Sequence, residues 1–183
     1  MKTLTPIALT TERLHMQPIE NEDWWLFQQL YQDADVMRFI GALDTPAQIR
    51  SRFEQRLGYW DRYADFWLCL TIRERDTGQA VGLTGFFPDW RPYQQGEVGF
   101  IISPEHQGKG YAVESLRAVL NFAFDLCGFH RLQANVLEGN HGSRRVLEKC
   151  GFRLEGNLRE SYRIGDTWHN DWLLGVLASD PRG

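Results

Sequence analysis

Residues 97–112 hold the residue types and spacing in this chain that could do chemistry. They read Glu-Val-Gly-Phe-Ile-Ile-Ser-Pro-Glu-His-Gln-Gly-Lys-Gly-Tyr-Ala. A strand-like run from Glu97 stops at Pro104, a turn with Gly108 and Gly110 follows, and an amphipathic stretch opens behind it. Amides at a helix start have no partner inside the helix, and the helix dipole adds partial positive charge there. Glycines let an anion approach the main chain. The arrangement suits a phosphate or pyrophosphate. Glycine spacing alone is equally consistent with a tight turn. Two other phosphate motifs do not fit. The Walker pattern needs Ser or Thr after Gly-Lys, and here Gly110 follows Lys109. The dinucleotide pattern needs a third glycine where Val113 stands.

Other reactive side chains read as structural. Cys69, Cys127 and Cys150 are far apart, odd in number and in apolar company. They are expected to be buried, reduced core thiols rather than disulfides or metal ligands. His106, His141 and His169 form no pair with the helical spacing of a zinc site, so no metal is expected. Histidines in such loops are expected to be hydrogen-bonded or exposed. Most of the tryptophans at 24, 25, 60, 67, 90, 168 and 172 read as core. Trp90 is the exception, since its loop, with Tyr93, could wall a pocket.

Residues 107–112 resemble the Q/R-x-x-G-x-G/A motif of GNAT acetyltransferases, through Gln107, Gly110 and Ala112. A second block is similar to that family's N-x-x-S…E-K-x-G-F segment: Asn140-His141-Gly142-Ser143, then Glu148-Lys149-Cys150-Gly151-Phe152. The interval between them holds one helix and one strand, as in the family. Thr11-Glu12-Arg13-Leu14, Glu97-Val98-Gly99-Phe100 and the Arg159-Glu160…Gly165…Asp171 tail look most like the branch of ribosomal-protein N-terminal acetyltransferases.

The resemblance implies acetyl-CoA as cosubstrate and an amine acceptor, either a protein N-terminus or a small molecule. It implies that the main chain of Gln107, Gly108, Lys109, Gly110, Tyr111 and Ala112 cradles the CoA pyrophosphate. Phe100, Ile101 and Ile102 would pair with the pantetheine arm. Their strand and the one holding residues 132–137 would splay apart around the thioester. Asn140 and Ser143 would line the cofactor's other side. Arg144 would reach a phosphate or remain a solvated helix arginine. The side chain of Tyr111 is explained by packing.

Acetylation needs a neutral amine, because an ammonium has no lone pair. Something must take a proton, directly or through water. The oxyanion formed on attack wants a donor, and a backbone N–H on the splayed strand would serve. Some relatives carry a catalytic carboxylate at the position of Glu97, the candidate base. Its alternative is a structural or amine-binding carboxylate. Ser143 either donates to the thiol sulfur or satisfies backbone at its helix start. Many relatives have a tyrosine acid where this sequence has Leu147. No covalent intermediate is required, so no cysteine nucleophile is expected. Two further readings stay open: a CoA-binding module without turnover, and an acyltransferase with a different acyl donor.

The elements that must position these residues follow from periodicity. Residues 13–17 alternate as a strand. Asn21 can cap a helix carrying Trp24, Phe27, Leu30 and Tyr31. Thr45 caps a second helix with Pro46 in its first position. Residues 66–72 and 80–87 form a hairpin around residues 75–78. Residues 88–96 read as an irregular loop, 97–103 as a strand and 110–126 as a helix. Residues 131–137 form a strand, and Asn140 starts a helix that Gly151 stops. Strands near 152–155 and 168–177 pair across Gly165-Asp166. The expected fold class is α/β (α+β): a GNAT-like mixed, largely antiparallel central sheet with splayed central strands and flanking helices, in one domain over 1–183.

Bulk properties agree. Hydrophobic residues make up 43% of the 183 residues, enough for a core without staples. The formal net charge of -4 gives no reason to seek nucleic acid or an anionic membrane. It suits a cationic acceptor weakly, through Glu97, Asp89 and Glu105. The N-terminal stretch has no long apolar region typical of a signal peptide, and no apolar run is long enough to span a bilayer. A cytoplasmic monomer or homodimer is expected.

Overall fold

The computed structural model describes residues 6–182. Residues 1–5 and 183, which the expected single domain and the reading of the N-terminal stretch include, lie outside the described residues. The strands are β1 (Leu9–Thr10), β2 (Leu14–Pro18), β3 (Leu68–Glu74), β4 (Ala80–Asp89), β5 (Gln95–Ile102), β6 (Arg131–Leu137), β7 (Arg153–Ile164) and β8 (Thr167–Leu177). The α-helices are α1 (Trp24–Gln32), α2 (Ala34–Met37), α3 (Pro46–Glu54), α4 (Tyr111–Asn121) and α5 (His141–Lys149). The strands form one sheet in the order β1-β2-β3-β4-β5-β6-β8-β7. Every neighbouring pair is antiparallel except β5 and β6, which are parallel. The expected mixed, largely antiparallel fold is present.

Local chemistry explains the element ends. Thr45 caps α3 through its side chain, which accepts the Gln48 N–H at 3.2 Å, while Gln48 returns the bond to the Thr45 N–H at 2.8 Å. The two orphan donors satisfy each other's residue, a capping box. Asn21 is not a cap. It opens a single 3-10 turn, Asn21–Asp23, in which Asp23 takes the Glu20 N–H at 3.0 Å. The α4 helix ends at Asn121 and continues as a π-helical turn, Phe122–Leu126.

β1 has no counterpart among the expected strands, and several others depart from their expected bounds. β1 is too short to show alternation. β4 and β5 stay paired out to Asp89↔Gln95, so the irregular loop shrinks to residues 90–94. β7 runs on to Ile164 instead of ending near residue 155. Its side chains are almost all exposed, so no apolar rhythm marks it, and pairing with β8 supplies the order.

Strand alternation sorts the core into two faces. Leu68, Leu70, Ile72, Phe86, Val98 and Ile102 pack with Leu116, Val119 and Leu120 of α4 and Leu147 of α5. Cys69, Leu83 and Ile101 pack with Phe27 and Leu30 of α1 and Ile49 and Phe53 of α3. On β5, residues 97, 99 and 101 therefore face α1 and α3, and residues 98, 100 and 102 face α4.

Asp23 ties the α1 layer to the sheet. It is 2% exposed, accepts the Thr71 hydroxyl at 2.9 Å and pairs with the Arg73 guanidinium. Asp23→Ala strands a cation and a hydroxyl together. Breaking a buried pair costs about 3–5 kcal/mol, and the lower end applies because Arg73 keeps some contact with water. Urea unfolding of Asp23→Ala is expected to show that loss, with Asp23→Asn in between. A loss below about 1 kcal/mol would contradict this role.

Candidate active site

β5 and β6 share a ladder of only three pairs, Gln95↔Arg131, Gly96↔Leu132 and Glu97↔Gln133. Past that point β5 stays with β4 up to Ile102, and β6 stays with β8 up to Leu137. A cleft of about 360 Å³ opens where they part. Glu97, Gly99, Phe100 and Ile101 line it from β5, Asn135 and Val136 from β6, and Asn140, Ser143 and Leu147 from α5 and its cap. Tyr31, Phe39, Ile40, Arg52, Arg56 and Trp67 line it from the first third of the chain, and Tyr162 and Asp171 from the last hairpin.

At one end of the opening, the turn before α4 is held from behind. The Ser103 N–H and hydroxyl both donate to the Val81 carbonyl, at 2.9 and 2.7 Å. The Gln107 side chain donates to the Ile102 carbonyl at 3.0 Å, so it braces the turn. Arg13 donates to the Lys109 carbonyl at 2.8 Å and to Glu114 at 2.7 Å. The Lys109 ammonium meets His106 Nδ1 at 3.1 Å. Tyr111 is buried and donates to Glu74 at 2.7 Å, the packing role expected of its side chain.

Gly108 and Gly110 have φ of +76° and +83°, where a side chain is strained. Gly110 is the N-cap of α4 and no side chain caps that helix. The amides of residues 108–112 have no acceptor among the described residues. A Cβ on Gly108 would meet nothing within 4 Å, so the cradle opens outward. Unpartnered amides, a helix dipole and bare glycines fit a pyrophosphate.

On the other flank, Asn140 caps α5. Its Oδ1 accepts the Ser143 N–H at 3.2 Å, and its Nδ2 donates to Ser143 Oγ at 3.0 Å. Asn140, not the Ser143 hydroxyl, therefore caps this helix. The Ser143 hydroxyl accepts one bond and donates to nothing among the described residues. Leu147 is buried against the cleft and brings no proton donor. Arg144 does not line the cleft. It pairs with Glu148 at 2.9 Å and lies 4.7 Å from the centre of the Trp172 ring.

Glu97 stands where the ladder ends, on the α1 and α3 face. Asn135 donates to it at 3.3 Å. Burial raises its pKa; the Asn135 bond pulls the other way, and the nearby charge of Asp171 adds to the rise. Burial also raises Asp171, partly offset by the Ser161 hydroxyl at 3.2 Å. A bulge in β7 sets up this corner. Glu160 has φ of +47°, and its N–H donates to the Asn170 side chain at 2.8 Å. Tyr162, just past the bulge, donates to the Ile40 carbonyl at 2.5 Å and bridges the cleft.

The cysteines are free. Cys69 and Cys150 are buried; Cys127 is only partly so, a departure from expectation. Burial raises all three thiols, Cys127 and Cys150 to about 11. Among the described residues no group of three or more His, Cys, Asp or Glu could hold a metal ion, and no helix is long and apolar enough to cross a membrane.

Of the expected site residues, the cleft brings together Glu97, Phe100, Ile101, Asn140 and Ser143, and the cradle brings together residues 107–112. The expectation for Trp90 and Tyr93 is corrected. Trp90 packs on Phe129 with ring centres 5.1 Å apart, and Tyr93 is exposed. Their loop caps the closed end of the β4–β5 pair, away from the cleft lining. Asp89 and Glu105 do not line it either; the second carboxylate is Asp171. A charged residue inside the apolar run of β8 was the available signal for it. Tyr162, Arg56 and Trp67 had no such signal.

Residues 13–153 match the family described as "Acetyltransferase (GNAT) domain". The chain belongs to the GNAT acetyltransferases. It is an acetyl-CoA-dependent N-acetyltransferase. The uncharacterized N-acetyltransferase YnaD of Bacillus subtilis is 27% identical over 173 residues, 94% of this chain and 98% of that protein. Spermidine N(1)-acetyltransferase of Escherichia coli is 25% identical over 155 residues, 85% of this chain and 81% of that protein. Among solved structures, a GNAT-family acetyltransferase from Bacillus anthracis superposes with a TM-score of 0.82 at 26% identity, covering 94% of this chain and 99% of that one.

A test of the GNAT cradle follows from its geometry. Gly110→Asp puts a carboxylate beside the open amides. Acetyl-CoA is expected to raise the melting temperature of the wild type, since a ligand that binds only the native state stabilises it. The shift is expected to vanish in Gly110→Asp. Unchanged CoA affinity in a folded Gly110→Asp protein would remove the cradle from the binding site.

Proposed function

We propose that this GNAT enzyme transfers acetyl from acetyl-CoA to a primary amine by direct attack in a ternary complex, with Glu97 as the base. On this reading residues 1–183 act as one N-acetyltransferase domain. The acceptor is a protein N-terminal amine, as in the ribosomal-protein branch the motifs resemble, or a small-molecule amine, as the name of the spermidine acetyltransferase relative suggests. A cytoplasmic monomer or homodimer is compatible with it.

The observation that carries the proposal is the environment of Glu97. Its carboxylate stands at the parting of β5 and β6, its hydrogen bond there is one donated by Asn135, and burial lifts its pKa toward the operating range. Acetyl-CoA supplies the acyl group. The amine nitrogen bonds to the acyl carbon, the carbon–sulfur bond breaks, and CoA leaves as the thiolate. Glu97 takes the amine proton, directly or through one water. The Ser143 hydroxyl, already an acceptor from Asn140, has its own proton free for the sulfur. Main-chain amides of residues 108–112 hold the pyrophosphate, with the Gln107 N–H held instead by the Pro104 carbonyl at 3.3 Å; residues 100–102 pair with pantetheine, and Asn140 and Ser143 flank it. Arg144 must leave Glu148 to reach a phosphate.

Glu97→Gln keeps the shape and the Asn135 bond but not the basicity. A positioned base contributes about 10²–10⁴-fold. We expect kcat to fall at least tens-fold, with acetyl-CoA affinity unchanged and the deficit shrinking at high pH, where more amine is neutral. A rise in acceptor KM alone would make Glu97 a binding residue instead.

Stability should move the opposite way. A carboxylate whose pKa is raised on folding adds stability below its ordinary pKa and loses it as pH climbs through the folded value. Glu97→Gln is therefore expected to be more stable than wild type near neutral pH, and the gain should disappear in acid below the ordinary glutamate pKa. Chemical denaturation at the two pH values reads this directly.

Cys69 lines the cleft, yet burial holds its thiol protonated. Cys69→Ala is expected to turn over at a rate close to wild type, with intersecting double-reciprocal lines. Parallel lines and an isolable acetyl-cysteine would overturn direct attack.

A further inference from the structure

The acceptor half of the cleft has a cation that acetyl transfer does not use. Arg56 lies just past the end of α3 and lines the cleft. Its guanidinium sits among aromatic faces, 5.4 Å from the ring centre of Phe27, 5.6 Å from Trp67 and 5.8 Å from Tyr31. Among the described residues it reaches the sulfur of Cys69, at 4.0 Å, and the side chain of Tyr31. Among the described residues no carboxylate lies within the 4.0 Å of an ion pair. The neighbouring Arg52 differs, since Asp44 holds it at 2.5 Å.

A mostly buried cation without a counter-ion is costly, and ring faces offset only part of that cost. The Arg56 side chain is only partly buried and keeps some contact with solvent. The guanidinium thus offers unused donors in a planar fork, the geometry that takes carboxylates and other oxyanions.

Arg56 also faces the same side of the sheet as Glu97. Trp67 links them: it lies beneath the Arg56 guanidinium, and a Cβ on Gly99 would meet its ring at 3.1 Å. Gly99 is two residues along β5 from Glu97 and shares its face. One cleft therefore holds carboxylates, Glu97 and Asp171, and an unpaired guanidinium.

We propose that the acceptor is an amine whose other end carries an oxyanion, a carboxylate in the simplest case, with Arg56 binding the oxyanion while the amine faces Glu97. The proposal rests on the reading that this cleft holds the acceptor amine. It makes Arg56 a specificity residue and disfavours polyamines, because a second ammonium would face the guanidinium.

The test is a matched acceptor panel. Glycine, β-alanine, γ-aminobutyrate, phenylalanine, aminoethanesulfonate and phosphoethanolamine are each paired with the amine that lacks the oxyanion, and spermidine is added. CoA release gives rates, and calorimetry on CoA-loaded protein gives acceptor binding. Wild type is expected to favour at least one oxyanion-bearing amine by about tenfold or more in kcat/KM over its plain counterpart and over spermidine. A charge-assisted hydrogen bond is worth about 1.5–3 kcal/mol, so Arg56→Gln should raise the KM of that acceptor ~10–100-fold. Its kcat should change little, plain amines should be unaffected, and Arg56→Lys should recover part of the loss. Unchanged acetyl-CoA affinity and melting temperature report an intact fold.

Preference for plain amines or spermidine overturns the proposal, and so does an Arg56→Gln loss shared by both members of a pair. If acetyl-CoA binds but no amine releases CoA, the transfer reading fails instead. Calorimetry then decides the oxyanion site on its own: equal binding of both members of every pair rejects it. Should Arg56→Gln fail to fold, the wild-type panel and Arg56→Lys carry the decision.

Discussion

Two parallel strands that stop pairing after three residues make everything else in this enzyme possible. β5 is committed to β4 along its whole length, and β6 to β8. Each has a strong antiparallel partner on its outer side, so neither is free to follow the other as the sheet twists. At the base, Gly96 lets the strands come close; a Cβ there would lie 2.9 Å from the Leu132 side chain. Beyond it, main-chain groups on the inner edges face an opening instead of a neighbour, and buried main-chain groups require partners. A split sheet is thus already half of a binding site for an extended ligand.

The two halves of the cleft are built from different material. The side next to the cradle is mostly main chain: glycines at positive φ, open amides and a strand edge, with the Asn140 side chain as a cap. The other side is side chain, drawn from α1, the residues around α2 and α3, and the β7–β8 hairpin. It also holds charges at a cost. Glu97 and Asp171 are partly desolvated near each other, Arg56 has no counter-ion among the described residues, and Glu160 sits in a backbone conformation that L-residues avoid. Such features cost stability, and their concentration in one cleft is what marks it as the candidate site.

What the sequence made legible follows the same division. The stretch 97–112 could be read because glycines, a proline and a change of period mark a strand, a turn and a helix in order. The caps at Thr45 and Asn140 and the stop at Gly151 follow from backbone chemistry at helix ends. The other side could not be read so. Arg56 and Tyr162 line one cleft from more than a hundred residues apart in the chain, and nothing local distinguishes them from solvated surface residues. Trp90 shows the converse error: an aromatic residue in a polar loop suggests a wall, yet pairing to Asp89↔Gln95 places that loop beyond the end of the cleft. β7 was hidden because its order comes from its partner and not from its own pattern.

The sheet order also has a consequence for biosynthesis. β6 is threaded between β5 and β8, and β8 is the last strand of the sheet to leave the ribosome. Until it emerges, β6 has three ladder pairs on one side and an open edge on the other, with apolar residues such as Leu132, Val136 and Leu137 on show. Such an edge templates pairing with other chains. Neither Asp171 nor the Tyr162 bridge to Ile40 exists at that stage. A nascent chain long enough to have made the whole cradle therefore has no finished cleft, and its β6 edge stays open in that interval.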